Sequence, residues 1–318
     1  MKRRDFLKQS ALTAAAAAST KFASAATPNN LIARRPLGKT GEHLSIVGFG
    51  GIVVMHEETS HSNNIVAEAV DHGVNYFDVA PSYGDAQERL GSALAPYRKN
   101  CFLACKTEGR TKDDSRKQLE ESLRLLKTDH IDLYQFHALT KMTDLDQVLG
   151  PGGAMETMEA AKKEGKIRYI GFSVHSAETA LAAMDRYHFD TVLFPVNYVL
   201  FSQANFGPQI LKRAQEKDMG ILALKAMAKT VWSAEEKQSH PERKCWYQPA
   251  AYPDEASLGL RWTLGHPVTA ALPPGDEKYF RLAMDVAQRY KPLERNEEQM
   301  LLARATGVEP IFHLGNDV

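Results

Sequence analysis

The stretch AKKEGKIRYIGFS (residues 161–173) contains the repeating unit on which the predicted fold depends. A helical segment ends at Gly165, and glycine commonly follows the last turn of a helix. The run after it, IRYIGFS, is largely apolar, which is typical of a strand that is buried on both faces of a parallel sheet. A helix followed by such a strand indicates the repeat of a parallel α/β protein.

The same alternation extends along the chain from residue 44 onward. Eight short apolar runs are predicted as strands, at residues 45–49, 76–79, 102–106, 131–136, 167–172, 192–196, 221–224 and 268–272. Helical segments lie between them, for example at 115–126 and 154–164. Eight such units predict a single-domain α/β fold, the (β/α)8 TIM barrel of about 250 residues. An open doubly wound sheet is the main alternative, but GFGGIVV (48–54) lacks the Gly-x-Gly-x-x-Gly spacing typical of its nucleotide site.

The N-terminal segment KRRDFLKQSALTAAAAASTKFASAA (2–26) resembles an export signal of the twin-arginine type. Two arginines precede a weakly apolar alanine run, and small residues favour cleavage near Ala25. An ordinary amphipathic helix is the alternative. We therefore assign residues 1–26 to a signal peptide and 27–318 to the barrel. The signal predicts a protein that the twin-arginine machinery exports, to the periplasm or beyond.

Charge and hydropathy restrict the range of partners. The chain has 39 basic and 39 acidic residues, so nothing indicates a basic surface for nucleic acid or anionic lipid. No stretch outside the signal approaches the ~20 apolar residues of a membrane span. We therefore expect neither a nucleic-acid partner nor stable membrane insertion. A disulfide framework is also not predicted from the three cysteines, since Cys101 and Cys105 lie too far apart within one strand.

A long connection at about 229–253 follows the seventh predicted strand. Connections of this length are uncommon and tend to be lids or binding loops. The connection carries three aromatic candidates for substrate contact, Trp232, Trp246 and Tyr247. Their rings could either stack on a ligand or only hold the loop to the barrel, and both interpretations remain open.

Four titratable side chains follow predicted strands at their carboxyl ends, where the chemistry of such barrels is located. They are Asp78 and Tyr83 in FDVAPSYG, Lys106 in FLACKTEG and His137 in DLYQFHAL. Each alone could be a structural ion pair or a satisfied histidine. Their convergence on one rim predicts a site.

These four groups suit proton transfer to or from an oxygen atom. An ammonium beside a phenol favours the phenolate, and a carboxylate can hold that ammonium in place. The tyrosine can then donate a proton to a developing alkoxide, while the imidazole orients the same oxygen. Reduction of a carbonyl also needs a hydride, which no side chain supplies, so a nicotinamide cofactor is implied.

Nearly the whole chain after the signal resembles the aldo-keto reductases. The likeness rests on four segments in order, RRPLGKTGEHLSIVGFGG (34–51), NYFDVAPSYGDAQERLGSAL (75–94), LEESLRLLKTDHIDLYQFH (119–137) and EAAKKEGKIRYIGFS (159–173). The resemblance implies Tyr83 as general acid, Lys106 and Asp78 as the pair that tunes it, and His137 as the group that orients the carbonyl. It also implies NADP(H), or less often NAD(H), as cofactor.

The nicotinamide end of this resemblance is altered at three positions. Val174 stands where the family usually has Asn, Pro195 where it has Gln, and Leu224 where an aromatic residue stacks on the ring. The remaining candidates for cofactor contact there are Ser173, Asn197 and Lys225.

The adenosine end is predicted in ALPPGDEKYFRLAMD (271–285). By the resemblance, Gly275 forms the turn, Arg281 binds a phosphate and Asp285 replaces a helix Asn. Lys278 and Arg281 favour the 2′-phosphate of NADP(H). The two acidic residues at positions 276 and 277, directly after the turn, would instead suit the ribose hydroxyls of NAD(H). We therefore expect NADP(H) rather than NAD(H).

The sequence thus predicts an NADP(H)-dependent oxidoreductase acting on a carbonyl or alcohol, such as that of a sugar or glycoside. Because free NADP(H) is not expected outside the cytosol, the cofactor is expected to be tightly bound and recycled in place. One alternative is a non-catalytic, nucleotide-binding barrel that senses redox state or regulates. A second is a metal-dependent hydrolase or isomerase, but HEETSH (56–61) lacks the spacing of His-Glu-x-x-His and no metal site is predicted.

Overall fold

Parallel strands alternate with helices in the computed structural model, which describes residues 31–239 and 244–315. The strands are β1 (Arg34–Pro36), β2 (His43–Ser45), β3 (Phe49–Gly50), β4 (Tyr76–Asp78), β5 (Phe102–Thr107), β6 (Ile131–Phe136), β7 (Ile167–Ser173), β8 (Thr191–Pro195), β9 (Gly220–Leu224), β10 (Ala228–Val231), β11 (Tyr247–Pro249) and β12 (Ala270–Leu272). The α-helices are α1 (Thr59–Asp71), α2 (Ala86–Leu94), α3 (Lys112–Leu125), α4 (Met142–Leu149), α5 (Ala154–Lys163), α6 (Ala177–Arg186), α7 (Tyr198–Gln203), α8 (Pro208–Glu216), α9 (Ala234–Ser239), α10 (Pro253–Gly265), α11 (Glu277–Gln288) and α12 (Arg295–Ala305).

Eight of the strands form one parallel sheet in the order β12-β9-β8-β7-β6-β5-β4-β3. A parallel bridge between Val47 and Ala271 joins its two edges, so the sheet closes into a barrel. The predicted (β/α)8 barrel is confirmed as a single domain. The first predicted strand is displaced, because Ser45 pairs with Arg34 in an antiparallel hairpin and the barrel strand begins only at Phe49.

The hairpin β1–β2 closes the amino end of the barrel. Its Leu37 and Leu44 belong to the apolar cluster inside the sheet, together with residues such as Leu133 and Leu222. The turn approaches β9 closely: a Cβ on Gly38, whose φ is +52°, would lie 2.4 Å from the Gly220 nitrogen. Only glycine fits that position, both for its backbone conformation and for its space.

Side-chain caps define where two helices start after the strands that border the barrel mouth. The Thr111 hydroxyl accepts the Asp114 N–H before α3, and the Ser176 hydroxyl accepts the Thr179 N–H before α6. Such caps satisfy backbone donors that have no partner inside the helix. They therefore fix the short loops between strand and helix, which carry the candidate site.

The long connection predicted at about 229–253 contains an antiparallel hairpin, β10 with β11, and the short helix α9. The Trp232 indole N–H donates to the Cys245 carbonyl at 2.9 Å, which ties the two arms of the hairpin together. The Trp246 side chain is 52% exposed, whereas Tyr247 is buried. Residues 240–243 of this connection, like the predicted signal, lie outside the described residues.

All three cysteines are free and buried. Within the described ranges, the structure contains no helix that is both long and apolar enough to span a membrane.

Candidate active site

The register of the barrel strands places three polar side chains on one inward face. Asp78 at the end of β4 pairs with Ala104 of β5, and Lys106 lies two residues beyond Ala104 on the same face. Lys106 in turn pairs with Gln135 of β6. The strand pattern therefore brings the predicted Asp78 and Lys106 together at the carboxyl end of the barrel.

Asp78 and Lys106 form a buried ion pair. Their side chains are 2% and 1% exposed, and the Lys106 ammonium contacts Asp78 Oδ1 directly. The Lys106 ammonium also donates to the Val79 carbonyl at 3.2 Å. Burial is the largest single effect on the pKa of Lys106 and lowers it, but the combined effects of Asp78, Tyr83 and Cys105 outweigh burial and the pKa is raised. Lys106 therefore stays protonated.

Two groups that the sequence analysis did not select hold Asp78 in place. The Tyr76 hydroxyl and the Gln135 side-chain N–H both donate to Asp78 Oδ2 at 3.2 Å. Tyr76 could have been found from the sequence, since residues two apart on a strand share a face. Gln135 comes from another strand, so its contact depends on the register between strands.

Tyr83 lies in the loop between β4 and α2, with its ring beside the ion pair. The Lys106 Nζ atom lies 5.3 Å from the centre of the Tyr83 ring. Burial raises the pKa of Tyr83, and the Lys106 ammonium opposes this without cancelling it. The ammonium therefore acts in the expected direction, but the phenol remains protonated near neutral pH and is ready to donate.

His137 follows β6 and meets Tyr83 edge to face, with ring centres 5.9 Å apart. Burial, together with the cations Lys106, Arg110 and Lys225, lowers the pKa of His137 to about 3. The ring is therefore neutral near pH 7, and its 3.3 Å contact with Glu108 is not an ion pair. A neutral imidazole carries one N–H, which it can donate to a substrate oxygen.

The lowered pKa of His137 leads to a testable pH dependence. Since the pKa lies at about 3 in the folded protein and near 6.5 when unfolded, the folded state binds fewer protons between these values. Stability must then fall as the pH drops through this window. Between pH 6.5 and 4, we expect the free energy of unfolding to fall by about 2–3 kcal/mol more in the wild type than in His137→Gln. Urea unfolding of both proteins at several pH values measures this, and parallel curves would contradict it.

One cavity of about 290 Å³ connects these groups at the barrel mouth. The predicted catalytic residues in its wall are Asp78, Tyr83, Lys106 and His137. The other predicted site residues in its wall are Ser173, Lys225, Trp246, Tyr247 and Gly275. The structure therefore brings all four predicted catalytic residues to a single cavity, with parts of the predicted cofactor and substrate sites.

One predicted nicotinamide contact, Asn197, and one predicted substrate contact, Trp232, do not line this cavity. The Asn197 side chain accepts the Leu200 N–H at 2.9 Å as the cap of α7, and it donates to the Lys225 carbonyl at 3.2 Å. The Trp232 ring nitrogen is bound to the Cys245 carbonyl. Both side chains thus use their polar groups within the chain. Of the three altered positions, Leu224 lies in the cavity wall, whereas Val174 is buried in the core.

The predicted adenosine end lies at the start of α11 and along it. Gly275 packs against Ile52, where a Cβ would lie 2.3 Å from Ile52 Cγ2, and its N–H donates to the Cys245 sulfur at 3.2 Å. Arg281 is exposed and contacts carboxylate oxygens of Glu68 at 2.8 Å and Glu277 at 3.0 Å.

The other two predicted adenosine contacts are also exposed on α11. Asp285 pairs with Arg289, one turn along the same helix. The Lys278 ammonium lies 5.0 Å from the centre of the Tyr279 ring. Neither residue lines the cavity at the barrel mouth, and of the four predicted adenosine contacts only Gly275 does.

The described residues contain no group of three or more His, Cys, Asp or Glu side chains placed to hold a metal ion.

Comparison with known proteins identifies the family. The model of the aldo/keto reductase family matches residues 47–263. YqkF of Bacillus subtilis, an uncharacterized oxidoreductase, is 34% identical over 154 residues, which cover 44% of this chain and 48% of that protein. L-galactose dehydrogenase of Arabidopsis thaliana is 29% identical over 216 residues, 61% of this chain and 65% of that protein. The chain thus matches between about half and two thirds of the length of these two relatives.

Solved structures share the fold. The holo form of an aldo-keto reductase from Bacillus halodurans superposes with a TM-score of 0.68 at 21% identity, over 89% of this chain and 99% of that one. An aldo-keto reductase structure from Pseudomonas aeruginosa gives a TM-score of 0.64 at 25% identity, over 81% and 95% of the two chains. Because the family model matches more than half of its length, this chain belongs to the aldo-keto reductase family.

Proposed function

We propose that this enzyme transfers a hydride between NADP(H) and the carbonyl or alcohol carbon of a small substrate. The main support is that one cavity is lined by all four predicted catalytic residues, Tyr83, Lys106, Asp78 and His137. Proton donation, charge compensation and orientation of an oxygen are then available at the same place.

In the reductive direction, Tyr83 donates its proton to the oxygen of the substrate. The phenol is protonated near neutral pH because burial raises its pKa. Lys106, held by Asp78, lies beside the ring and stabilises the phenolate that forms. His137 is neutral, so it orients the oxygen by a hydrogen bond without adding a charge. In the oxidative direction, the phenolate accepts the proton back.

The cavity wall fits a nicotinamide cofactor. The Ser173 oxygen accepts the Ala138 N–H at 2.8 Å, and its own hydrogen has no acceptor among the described residues. Ser173, which lines the cavity, could therefore donate its hydrogen to the carboxamide of the cofactor. When bound, the cofactor supplies or accepts the hydride that no side chain provides.

A preference for NADP(H) over NAD(H) is part of the proposal. It is supported by the basic residues Lys278 and Arg281 on α11, and by a relative from Schizosaccharomyces pombe whose name specifies NADP(+), which is 29% identical over 59% of this chain. Because Arg281 contacts Glu68 and Glu277, a 2′-phosphate would replace one of these carboxylates as its partner.

We also propose that the protein leaves the cytosol folded around its cofactor. The support is the resemblance of residues 2–26 to a twin-arginine signal, since that route suits folded proteins. An enzyme outside the cytosol would lack free NADP(H), so it must regenerate the bound cofactor by oxidising one substrate and reducing another, or the same one.

A sugar or glycoside is the proposed substrate class. The exposed ring of Trp246 at the cavity wall offers a flat apolar surface on which a sugar could stack. Two relatives are named for sugar oxidation, L-galactose dehydrogenase and a D-threo-aldose 1-dehydrogenase from a Pseudomonas species, the second 25% identical over 60% of this chain.

Retention of the cofactor is tested directly on the purified protein. The chain is expressed with its N-terminal segment, the processed form is purified without added nucleotide and denatured, and the released nucleotide is identified by absorbance and mass. We expect near-stoichiometric NADP(H). Release of NAD(H) would overturn the cofactor preference. A protein that is purified without nucleotide and binds either nucleotide only weakly would overturn the proposal that the cofactor is retained.

A further inference from the structure

Lys225 is the first residue after β9 and adopts an unusual backbone conformation. Its φ is +60°, in the left-handed region that disfavours residues with a Cβ. The Lys225 carbonyl accepts the Asn197 side-chain N–H at 3.2 Å and the Ala228 N–H at 3.0 Å. Strained conformations of this kind persist where the surroundings hold them, often at functional sites. The chain therefore holds Lys225 in a defined position at the barrel mouth.

Aromatic rings surround the Lys225 ammonium. Nζ lies 5.6 Å from the ring centre of Trp246, 5.8 Å from that of Tyr247 and 5.6 Å from that of Phe312. Its hydrogen-bonding neighbour is His175 Nε2 at 3.2 Å. Lys225 is 8% exposed and lines the same cavity as the predicted catalytic residues. A buried cation thus faces the space where a substrate would lie.

Lys225 differs from the other lysines of the cavity in lacking a counter-ion. Three lysines line this cavity in the described part of the chain. Lys106 is paired with Asp78, and Lys244 with Glu57 at 2.7 Å. Lys225 has no carboxylate partner among the described residues. An ammonium taken out of water without a counter-ion is costly, so an anion entering the cavity would bind strongly.

The titration of the neighbouring groups supports this interpretation. The pKa of Lys225 is lowered to about 8, mainly by burial; Cys245 opposes the shift and Lys106 adds to it. The pKa of His175 is lowered well below its ordinary value by burial and by Lys225. Near pH 7 the ammonium is therefore mostly charged, and the neutral imidazole gives it a hydrogen-bond acceptor without neutralising it.

We propose that Lys225 binds a carboxylate of the substrate, so that the enzyme prefers carbonyl compounds and alcohols that carry a carboxylate, such as uronic, keto or hydroxy acids. This inference rests on the proposed function. A carboxylate matches the site because its single charge compensates the single unpaired ammonium. The nicotinamide carboxamide is neutral and would leave the charge of Lys225 uncompensated. A phosphate dianion would leave about one negative charge uncompensated beside this single ammonium. The apolar rings around Nζ suit the carbon skeleton of an organic acid.

The test compares two aldehydes of nearly equal shape, 4-carboxybenzaldehyde and 4-nitrobenzaldehyde, with the holoenzyme. Lys225→Met removes the charge at similar volume, and Lys244→Met is the matched control, because that ammonium is already paired with Glu57. We expect Lys225→Met to lower the ratio of kcat/KM for the carboxylate over the nitro compound by about 10- to 100-fold, mainly through KM. Lys244→Met should change this ratio by less than about twofold.

A second measurement does not depend on turnover. Benzoate, which cannot be reduced as a carbonyl substrate, is titrated into the nucleotide-bound wild type and Lys225→Met by calorimetry. We expect Kd for benzoate to rise in Lys225→Met by a factor similar to the change in the kinetic ratio. After the bound nucleotide has been removed, the nucleotide itself is titrated into both proteins, and its Kd should not change.

The outcomes separate this inference from the proposed function. Turnover of both aldehydes with no change of ratio in Lys225→Met would overturn the inference and leave the proposed function standing. Benzoate binding that depends on Lys225, with no turnover of any carbonyl or alcohol, would support the anion site and overturn the proposed function. A weakened nucleotide Kd with an unchanged ratio would assign Lys225 to the cofactor instead, and the inference would be wrong.

Discussion

Tyr83→Phe is expected to lower kcat by about 10²- to 10⁴-fold while leaving the affinity for the nucleotide unchanged. The substitution removes the hydroxyl that donates the proton but keeps the ring that lies against His137 and Lys106. The fold and the charges of the cavity are thus preserved, and the loss falls on the chemical step. Steady-state kinetics with a carbonyl substrate, combined with a nucleotide titration, measures both quantities.

Tyr252→Phe is the matched control for this experiment. Tyr252 lies at the end of the predicted insertion, is largely exposed, and does not line the cavity, so its variant should retain wild-type kinetics. A Tyr83→Phe enzyme with full activity would remove Tyr83 from the role of proton donor. A variant that lost its nucleotide would show that the hydroxyl serves binding rather than proton transfer.

Lys106→Met is expected to destabilise the protein by about 3–5 kcal/mol. The variant leaves the Asp78 carboxylate buried, with the hydrogen bonds from Tyr76 and Gln135 but without its counter-ion. An uncompensated buried charge is among the few single changes with an effect this large. Urea or guanidinium unfolding gives the free energy of unfolding for wild type and variant.

The double variant Asp78→Asn with Lys106→Met separates stability from activity. Removing both charges should recover most of the lost stability, because no unpaired ion remains, whereas activity should stay low since Tyr83 lacks the ammonium. The surface pair of Arg213 and Asp185 provides a control, and Arg213→Met should cost less than about 1 kcal/mol. Equal stability of the single and double Lys106 variants would show that Asp78 does not depend on its partner.

The barrel and the convergence of four groups were predictable because both follow from local pattern. Buried parallel strands carry long apolar runs, and the ends of such strands meet at one edge of the sheet. The pairing of Asp78 with Lys106 therefore needed only the strand positions. The first strand was misplaced because residues 45–49, which were predicted as one strand, belong to two elements. Ser45 is the last residue of the hairpin, and Phe49 is the first residue of the barrel strand.

The assignments at the cofactor end could not be settled in the same way, since the partners come from distant segments. Asn197 has an amide that suits a cofactor, but the same amide caps a helix, and the sequence does not distinguish these uses. Arg281 contacts Glu68, which lies 213 residues earlier in the chain. One of the aromatic rings around the Lys225 ammonium belongs to Phe312, which lies near the end of the described chain and far from Lys225 in sequence.

The position of the β1–β2 hairpin has a consequence for engineering the specificity of this enzyme. Leu37 and Leu44 fill the amino end of the barrel, whereas every residue assigned to chemistry lies at the other end. The two ends can therefore be varied for different purposes. Substitutions in the β1–β2 hairpin should mainly change the yield of folded protein. Substitutions in the hairpin that carries Trp246 should mainly change which compounds the enzyme accepts. A selection for new specificity can leave the β1–β2 hairpin, residues 34–45, untouched.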